Sequence, residues 1–385
     1  MPRISKCTVG AGCDSALVID YASRVRGCLL GGAIGDALGA PVEFMSAVQI
    51  ESLVGGSGVR DFLAAQFGSI KSRGLITDDT QMTLFTVDGI IRAISRERTK
   101  GLGFTAGVLH HAYLRWLDTQ QLPEPSGLRD GWLQSEQWLY SRRAPGNTCL
   151  SALNVSGSES FGDPAVNDSK GCGGVMRSAP FGLVTCYEPS DRFAYEMAAT
   201  AAGYTHGHPT GQHASGALAL IVRNVVGGEP LHSAIPRAAS YLEETVPGSS
   251  ETTRAIRSAL ALATGHRPSR ESVETLGGGW VAEEALAIAV YCAVAYPDAG
   301  QVLDALALAV SHSGDSDSTG AICGNILGAL HGQSALPAGL EVQLEGRGTI
   351  LALADDLVIS MDRSGEWFEG GACTSEAWWE RYPGW

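Results

Sequence analysis

The sequence predicts an all-α fold in one compact bundle, and three observations support this. Apolar residues recur at helical spacing almost throughout, as at Leu84, Val87, Ile91 and Ile94, whereas sustained strand-like alternation is hard to find. Many of the 49 glycines lie inside apolar runs such as 29–39, where they lower helix propensity but let backbones approach closely. No segment between the apolar runs resembles a domain linker.

The helical spacing places ten helices along the chain. They are expected at residues 24–38, 77–95, 105–119, 191–203, 212–226, 251–264, 282–296, 299–312, 317–331 and 346–361. Residues 1–20 are interpreted as an N-terminal extension, 21–361 as the single domain and 362–385 as a Trp-rich tail packed on it. Segments 55–74 and 141–176 are rich in Gly, Ser, Asn and Pro and are long for connectors, which makes them candidate functional loops.

Composition and charge restrict the class of protein. The 385 residues are 44% hydrophobic, which supports one large packed core. A net charge of −14 provides no basic field for nucleic acid or an anionic membrane. No secretory signal is recognised, and the longest apolar stretch, Ala285–Tyr296, is too short to span a bilayer. A cytoplasmic monomer that binds small molecules or proteins is therefore expected.

Cysteine usage gives no sign of a disulfide framework. The nine cysteines are odd in number and scattered, without a C-x-x-C pair, so a structural zinc site is not indicated either. Most of them are interpreted as small buried apolar residues.

The first candidate site is Thr77-Asp78-Asp79-Thr80, just before the apolar periodicity that continues to Ile94. Acids and hydroxyls at a helix start accept hydrogen bonds from free backbone N–H groups, so simple capping explains part of the motif. Capping needs only one side chain, however. Two adjacent acids flanked by two threonines provide more hard oxygen ligands than a cap can use, which favours a cation site.

A second motif, Gly314-Asp315-Ser316-Asp317-Ser318-Thr319-Gly320, repeats the arrangement at the start of another apolar helix. An EF-hand is excluded, because the position that would need a bidentate Glu is Ile326. Four carboxylates without nearby Lys or Arg would repel one another unless cations neutralised them. Oxygen ligands suit Mg²⁺ or Mn²⁺, and a pair of such ions can activate water and hold substrate oxygens.

Residues 169–177, SKGCGGVMR, form a glycine-rich stretch that enters an apolar segment. Backbone N–H groups there could form an anion nest for a pyrophosphate, with charge added by Lys170 or Arg177. An ordinary flexible loop is the alternative. The stretch has neither Walker spacing nor a preceding strand, so a P-loop or Rossmann site is excluded.

Two further motifs carry acids or histidines. In Thr205-His206-Gly207-His208 the histidine pair could ligate zinc, contact a ribose or phosphate, or act only as a helix-dipole partner. In Gly35-Asp36-Ala37-Leu38-Gly39-Ala40-Pro41-Val42-Glu43, Glu43 is either an exposed loop residue or an acid positioned at a site. No G-x-S-x-G elbow occurs, so serine-hydrolase chemistry has no support.

Five motifs in one order resemble the ADP-ribosylglycohydrolase family, which includes the dinitrogenase reductase-activating glycohydrolases and the ADP-ribosylarginine hydrolases. The resemblance runs from about Val25 to about Gly332. The motifs are Gly-Asp-Ala-x-Gly-x-x-x-Glu at 35–43, Thr-Asp-Asp-Thr at 77–80, the Gly-rich Met-Arg segment at 168–177, Thr-His at 205–206 and Gly-Asp-Ser-Asp-Ser at 314–318. Some members have Asn where Cys172 stands, and some have Thr where Ser318 stands.

The resemblance implies a single orthogonal helical bundle whose central cleft binds two Mg²⁺ or Mn²⁺ ions. The implied metal ligands are Thr77, Asp78, Asp79, Asp315, Asp317 and Ser318. The implied contacts to the pyrophosphate and distal ribose are Asp168, Ser169, Lys170, Gly171, Cys172, Gly173 and Gly174, and His206 would also contact the substrate. Glu43 would lie on a mobile loop over the metals.

The implied activity is hydrolysis of the N-glycosidic bond that links ADP-ribose to arginine on a protein. Either Asp79 or Glu43 would manage the proton that passes between water and the leaving guanidine, and metal charge would partly replace a second glycosidase carboxylate. The alternatives are the same hydrolysis at serine, O-acetyl-ADP-ribose or a nucleic-acid end. A catalytically silent relative that only binds ADP-ribose is disfavoured, because the acidic motifs are intact.

Overall fold

The computed structural model describes residues 19–102, 106–155, 163–185, 191–265, 267–362, 366–367 and 370–383. Its helices and strands are α1 (Tyr21–Gly39), α2 (Ala47–Val54), β1 (Ala64–Phe67), β2 (Ile70–Arg73), α3 (Asp78–Lys100), α4 (Ala106–Gln121), α5 (Asn147–Val155), α6 (Ala179–Gly182), α7 (Asp191–Gly203), α8 (Pro209–Val226), α9 (Leu231–Thr245), α10 (Ser250–Gly265), α11 (Arg270–Glu274), α12 (Ala282–Ala295), α13 (Val302–Val310), α14 (Ser316–His331), α15 (Ala338–Glu341), α16 (Arg347–Met361) and α17 (Glu376–Arg381). Short 3₁₀ turns lie at Trp132–Ser135, Gln137–Leu139, Cys172–Gly174, Ala299–Gln301, Gln333–Ala335 and Ala372–Thr374. The proposed N-terminal extension lies outside the described residues except for positions 19 and 20.

The predicted all-α fold is confirmed. Each of the ten expected helices matches an observed one, with the largest shift at α3, which continues to Lys100 before Gly101 ends it with a left-handed backbone. The β1–β2 hairpin, in which Ala64 lies opposite Arg73, is the one sheet within the described ranges. This hairpin occupies segment 55–74, which the sequence left as a loop because four-residue strands give too little alternation to recognise.

Helix α9 was also missed by the sequence analysis. Pro236 lies inside it, and a proline has no N–H to donate to the helical ladder, which weakens the local signal. The helix is held instead by an apolar stripe at helical spacing that is buried against its neighbours: Leu231, Ala234, Ile235, Ala238 and Leu242. Tertiary burial here outweighs intrinsic propensity.

The centre of the bundle is the antiparallel pair α1 and α14, which pack backbone against backbone. A Cβ built on Gly35 would lie 2.0 Å from the Gly320 carbonyl oxygen, and one on Gly31 would lie 2.4 Å from that of Gly324. Such contacts leave no room for any side chain. The interpretation that glycines in the apolar runs allow close helix approach is therefore confirmed for this pair.

The α1–α14 contact brings the C-terminal end of α1 next to the N-terminal end of α14. A Cβ on Gly39, the last residue of α1, would lie 2.3 Å from the Ser316 carbonyl oxygen at the start of α14. Helices α3, α8, α12, α13 and α16 pack around this central pair. The acids that follow α1 therefore face those that begin α14.

Replacing Gly31 by Ala tests this packing. We expect the free energy of unfolding to fall by about 1–3 kcal/mol, because the added Cβ meets a backbone oxygen that only a shift of α14 could relieve. Gly348 is the matched control: it lies in helix α16 with no atom within 4 Å of its Cβ position, so Gly348→Ala should be neutral or slightly stabilising. Urea unfolding of both variants tests this packing, and equal urea midpoints for the two variants would contradict it.

The C-terminal residues contact α3 and α16. Trp378 is buried and its indole N–H donates to Ser95 Oγ (3.1 Å). Tyr382 is fully buried and donates to Asp356 Oδ2 (2.6 Å). Across the described ranges, no helix combines the length and the apolar character that a membrane crossing requires.

Candidate metal centre

The two oxygen-rich motifs lie at the first turns of α3 and α14. Thr77 caps α3, and its hydroxyl accepts a hydrogen bond from Asp79 N (3.3 Å). Asp315 caps α14 and accepts from Ser318 N (3.3 Å). Capping therefore accounts for Thr77 and Asp315 only. The acids Asp78, Asp79 and Asp317 need another explanation.

Glu43 joins the two acids of α14. One carboxylate oxygen from each of Glu43, Asp315 and Asp317 lies within 4.8 Å of the other two. The pKa of Glu43 is raised to about 10, chiefly by burial and then by the charges of Asp317 and Asp315. Three carboxylates this close stay ionised only when a cation compensates them.

Asp78 and Asp79 face the same acids from α3. Burial raises the pKa of both carboxyl groups well above the usual range, and the charge of Asp317 is the second cause for each. The pKa of Asp315 is raised in the same way, first by burial and then by the charge of Asp317. In the part of the chain that the structure describes, no Lys or Arg forms an ion pair with Asp78, Asp79, Asp315 or Asp317.

Among the five acids of this cluster, one buried carboxylate oxygen has no hydrogen-bond partner in the described residues. Asp79 is 3% exposed, its Oδ2 contacts the Thr77 hydroxyl (3.4 Å), and its Oδ1 is left without a donor. An unpartnered buried carboxylate oxygen is costly unless a cation or proton meets it. Carboxylates with the nearby Ser318 and Thr77 hydroxyls form an oxygen donor set, which fits Mg²⁺ or Mn²⁺ better than zinc.

Asp36 is a residue of this site whose role the sequence analysis missed. It is fully buried and accepts from Thr77 N through both oxygens (3.1 and 3.0 Å), from Thr80 N (3.1 Å) and from the Thr80 hydroxyl. Its pKa is raised to about 7, mainly by burial and then by Asp317. Asp36 therefore fastens the start of α3 to α1, and its place in the Gly-Asp-Ala motif was the one signal available.

An ion pair on the opposite side fixes the same helix start. Arg143 Nη2 donates to Glu345 Oε1 (2.8 Å), and Glu345 Oε2 accepts from Ile76 N (3.2 Å). The Arg143 carbonyl accepts from Asp78 N (3.0 Å). The pair joins segment 141–176 to the turn that precedes α16, and both partners also bind the backbone of residues 76–78. Its partners are 202 residues apart in sequence, so no local pattern indicates it.

The glycine-rich loop wraps around His206. A Cβ on Gly173 would lie 3.0 Å from His206 Cε1, and one on Gly171 would lie 3.3 Å from Nε2. Gly171 N already donates to Ser169 Oγ (3.3 Å) and Cys172 N to the Trp280 carbonyl (3.2 Å). Two backbone N–H groups of the expected anion nest, those of Gly171 and Cys172, are therefore already engaged within the protein.

His206 is held in one orientation by a buried chain of polar groups. Arg177 Nη2 donates to Thr205 Oγ1 (2.8 Å), which contacts His206 Nδ1 (2.8 Å). Burial, assisted by the charge of Arg177, lowers the pKa of His206 to about 3. The imidazole is therefore neutral, with Nε2 on the side of the glycine-rich loop. His208 instead caps α8, where its Nδ1 accepts from Thr210 N (3.1 Å).

Lys170 and Arg177, the two cationic side chains of this loop, are both engaged by other groups of the protein. The Lys170 ammonium pairs with both Glu251 and Glu283. Arg177 is fully buried, with its guanidinium 4.1 Å from the centre of the Tyr113 ring. Acids and polar groups within the fold already engage both side chains, and the expectation that Lys170 or Arg177 adds charge for a pyrophosphate stays a prediction.

A polar groove of about 540 Å³ continues from the loop. Ser169 lines it, with its hydroxyl 3.3 Å from that of Thr148, whereas Asp168 is exposed. Amides from α4 and α5 form its walls, and Arg142 lies at its edge. Arg142 is exposed and makes no ion pair with any described residue. The groove thus offers a cation that the sequence analysis did not select.

Two exposed aromatic rings stack beside the acids. The Phe44 and Trp280 ring centroids are 5.1 Å apart at 23°, and the side chains are 71% and 42% exposed. Phe44 follows Glu43 and has φ +68°, a backbone region that bulky residues rarely adopt and that functional sites often contain. Near Trp280, the Gly278 carbonyl accepts from Asp315 N (2.9 Å). The pair therefore lies at the rim of the acidic cluster.

Comparison with known proteins yields one family. The sequence model described as ADP-ribosylglycohydrolase matches residues 18–366. An uncharacterised protein of Archaeoglobus fulgidus is 29% identical over 80% of this chain and 87% of its own length. The ADP-ribosyl-[dinitrogen reductase] glycohydrolase of Rhodospirillum rubrum is 26% identical over 82% and 88%, and ADP-ribosylhydrolase ARH3 of Bos taurus is 24% identical over 90% and 95%. A solved structure titled ADP-ribosylglycohydrolase-related protein complex aligns with a TM-score of 0.63 at 24% identity, covering 89% of this chain and 99% of that one, and shares its fold.

Proposed function

Because the chain belongs to the ADP-ribosylglycohydrolase family, we propose that it hydrolyses an ADP-ribosyl linkage in a reaction that requires Mg²⁺ or Mn²⁺, with arginine on a protein as the acceptor. The observation that carries the proposal is a set of acids from three segments that no Lys or Arg of the described residues compensates. Four are buried, Asp78, Asp79, Asp315 and Asp317, and the fifth, Glu43, is partly exposed. Such a set is stable at neutral pH only with cations or protons bound. A purely structural role would not call for it.

The cation ligands would be Thr77, Asp78, Asp79, Asp315, Asp317 and Ser318. Divalent cations at such a site polarise substrate oxygens and lower the pKa of bound water. The protein's own contribution is to fix the ligands in place: Asp36 and the Arg143–Glu345 pair hold the start of α3, and the glycine contact of α1 holds α14 beside it. Ligands fixed before binding lose little entropy when the cations arrive.

Glu43 is the better placed of the two acids for proton transfer. It is partly exposed, whereas Asp79 is 3% exposed and packed against Thr77. A carboxyl group that solvent and substrate can reach can exchange a proton with water and pass it to a leaving group. We therefore assign proton transfer to the leaving group to Glu43 and a cation-binding role to Asp79.

The ADP-ribose would extend from the acids along residues 168–174 toward Arg142. His206 is neutral and its Nδ1 contacts the Thr205 hydroxyl, which leaves Nε2 to form a hydrogen bond with the substrate without adding charge. Beyond the loop, the Arg142 guanidinium suits a phosphate. The interactions of this path with the substrate are thus mainly hydrogen bonds, with one exposed cation at the far end.

The aromatic pair favours arginine over the other acceptors. A guanidinium binds over aromatic faces and is attracted by nearby carboxylates, and the rings of Phe44 and Trp280 lie next to Glu43 and the Asp315 backbone. A serine hydroxyl, an acetyl ester or a nucleic-acid end has no cation to place there. The pair thus discriminates between linkages that share the same ADP-ribose.

Trp280→Leu tests the acceptor assignment. With an ADP-ribosylarginine peptide and Mg²⁺ or Mn²⁺, we expect KM to rise roughly two- to thirtyfold, the factor that a cation–π contact of about 0.5–2 kcal/mol provides. Affinity for free ADP-ribose, measured by calorimetry, should change little. The parent is assayed in parallel on ADP-ribosylserine, O-acetyl-ADP-ribose and ADP-ribosylated DNA ends. Faster turnover of any of these would replace arginine, and no turnover of all four with intact ADP-ribose binding would indicate a silent relative.

A further inference from the structure

Cys172 lies among the proposed cation ligands. Its thiol contacts Asp315 Oδ2 at 2.7 Å. Burial raises the pKa of the thiol well above its usual range, and the charges of Asp315 and Asp79 raise it further, which places both acids near the sulfur. Ser318 also forms a hydrogen bond to the thiol. The sulfur is thus surrounded by residues of both acidic helix starts.

Other cysteines of the described ranges have different surroundings. Cys28, Cys292 and Cys323 are fully buried in the apolar core, and Cys373 lies in the C-terminal turn. Cys149 is buried with its sulfur 3.6 Å from Arg177 Nη1. The expectation that the cysteines serve as small buried apolar residues therefore holds for the core positions and not for Cys172.

A second, independent observation in the same cluster points to a cation. Asp79 Oδ1 is buried and has no hydrogen-bond donor among the described residues. One carboxylate oxygen from each of Glu43, Asp315 and Asp317 lies within 4.8 Å of the other two. A cation bound by these oxygens would have the Cys172 sulfur, 2.7 Å from Asp315, as its neighbour.

We propose that Cys172 supplies a sulfur ligand to the metal centre, so that the centre takes thiophilic cations such as Cd²⁺, Zn²⁺ and Co²⁺ as well as Mg²⁺ or Mn²⁺. The inference rests on the proposed metal site. On coordination the S–H bond breaks, the proton passes to solvent and a sulfur electron pair forms the bond to the cation. Thiolate ligands select zinc and other soft ions, whereas Mg²⁺ and Mn²⁺ take oxygen ligands.

One consequence concerns inhibition. An ion held by a thiolate and several carboxylates dissociates slowly and keeps fewer positions open for water and substrate. We therefore expect Cd²⁺ or Zn²⁺ to displace the activating ion and stop turnover. In a relative with Asn at the position of Cys172, the corresponding ligand would be an oxygen, and this sensitivity would be weaker.

Cd²⁺ and Mn²⁺ titrations of four proteins test the inference. All four carry Cys7→Ser, Cys13→Ser and Cys186→Ser, because those cysteines lie outside the described residues and could bind Cd²⁺ themselves. The series comprises this parent, Cys172→Ser, Cys172→Asn and the control Cys373→Ser. Ultraviolet sulfur-to-cadmium charge-transfer absorption reports the bond directly, calorimetry gives both affinities, and circular dichroism checks folding.

We expect the absorption in the parent and in Cys373→Ser but not in either Cys172 variant. Cd²⁺ affinity should fall at least about tenfold in those two variants, with Mn²⁺ affinity unchanged within about threefold. Normal Mn²⁺ binding with equal absorption in parent and Cys172→Ser would overturn the sulfur ligand alone. Absence of Mn²⁺ binding in the parent would overturn the proposed metal site itself. If Cys172→Ser fails to fold, Cys172→Asn decides.

Discussion

Asp317→Asn should lower turnover of an ADP-ribosylated substrate by more than about 100-fold, beyond what loss of an outer-shell partner causes. Asp317 is the charge shared by the whole centre, since it raises the pKa of Asp36, Glu43, Asp78, Asp79 and Asp315. Removing that charge weakens cation binding at the point where all the acids meet. Steady-state assays under limiting Mn²⁺ measure the effect.

Although Asp317→Asn should impair turnover, it should stabilise the metal-free protein. With one buried negative charge fewer, repulsion among the remaining acids falls, so Asp317→Asn should melt at a higher temperature than the metal-free parent. Asp355→Asn, which removes a partly exposed acid paired with Arg26, is the control and should alter neither property. Parent-like turnover of folded Asp317→Asn would remove Asp317 from the centre.

Mg²⁺ or Mn²⁺ should raise the melting temperature of the protein, and the rise should grow with pH. A ligand at one hundred times its dissociation constant adds about 2.7 kcal/mol, or roughly 3 °C for a chain of this length. Asp78→Asn removes one proposed ligand and should reduce the rise. The measurement is a melting curve with and without Mn²⁺ between pH 6 and pH 9, on protein first stripped with a chelator.

The pH dependence follows from the direction of the pKa shifts. Asp36 and Glu43 have ordinary values of 3.8 and 4.5 that are raised in the folded protein to about 7 and about 10. From about the ordinary values up to about the raised ones, the folded state therefore binds more protons than the unfolded state. The free energy of unfolding of the metal-free protein falls as pH rises through this range. Cations replace those protons, so they stabilise most at the alkaline end. A rise that shrinks with pH would contradict the buried cluster.

The sequence by itself determined the helical class, the ten main helices and the two acidic helix starts. These depend on local information: apolar residues at helical spacing, and acids or hydroxyls placed directly before such a run. Even the central helix contact was signalled, because Gly31 and Gly35 on α1 and their partners on α14 recur every four residues on one helix face. The acids of the proposed metal centre are predictable to the same extent, since helix starts are local features.

Only the tertiary structure decided which side chains meet. Lys170 and Arg177 are cations in a suggestive motif, yet Lys170 is paired with Glu251 and Glu283 and Arg177 lies on a buried aromatic ring. Asp36 accepts hydrogen bonds from the start of α3. The Cys172 thiol contacts Asp315, which is 143 residues away in sequence. Local propensity specifies a helix and its ends, but the charge state and partner of a side chain depend on burial and on segments far along the chain. Those contacts form only when the helices pack.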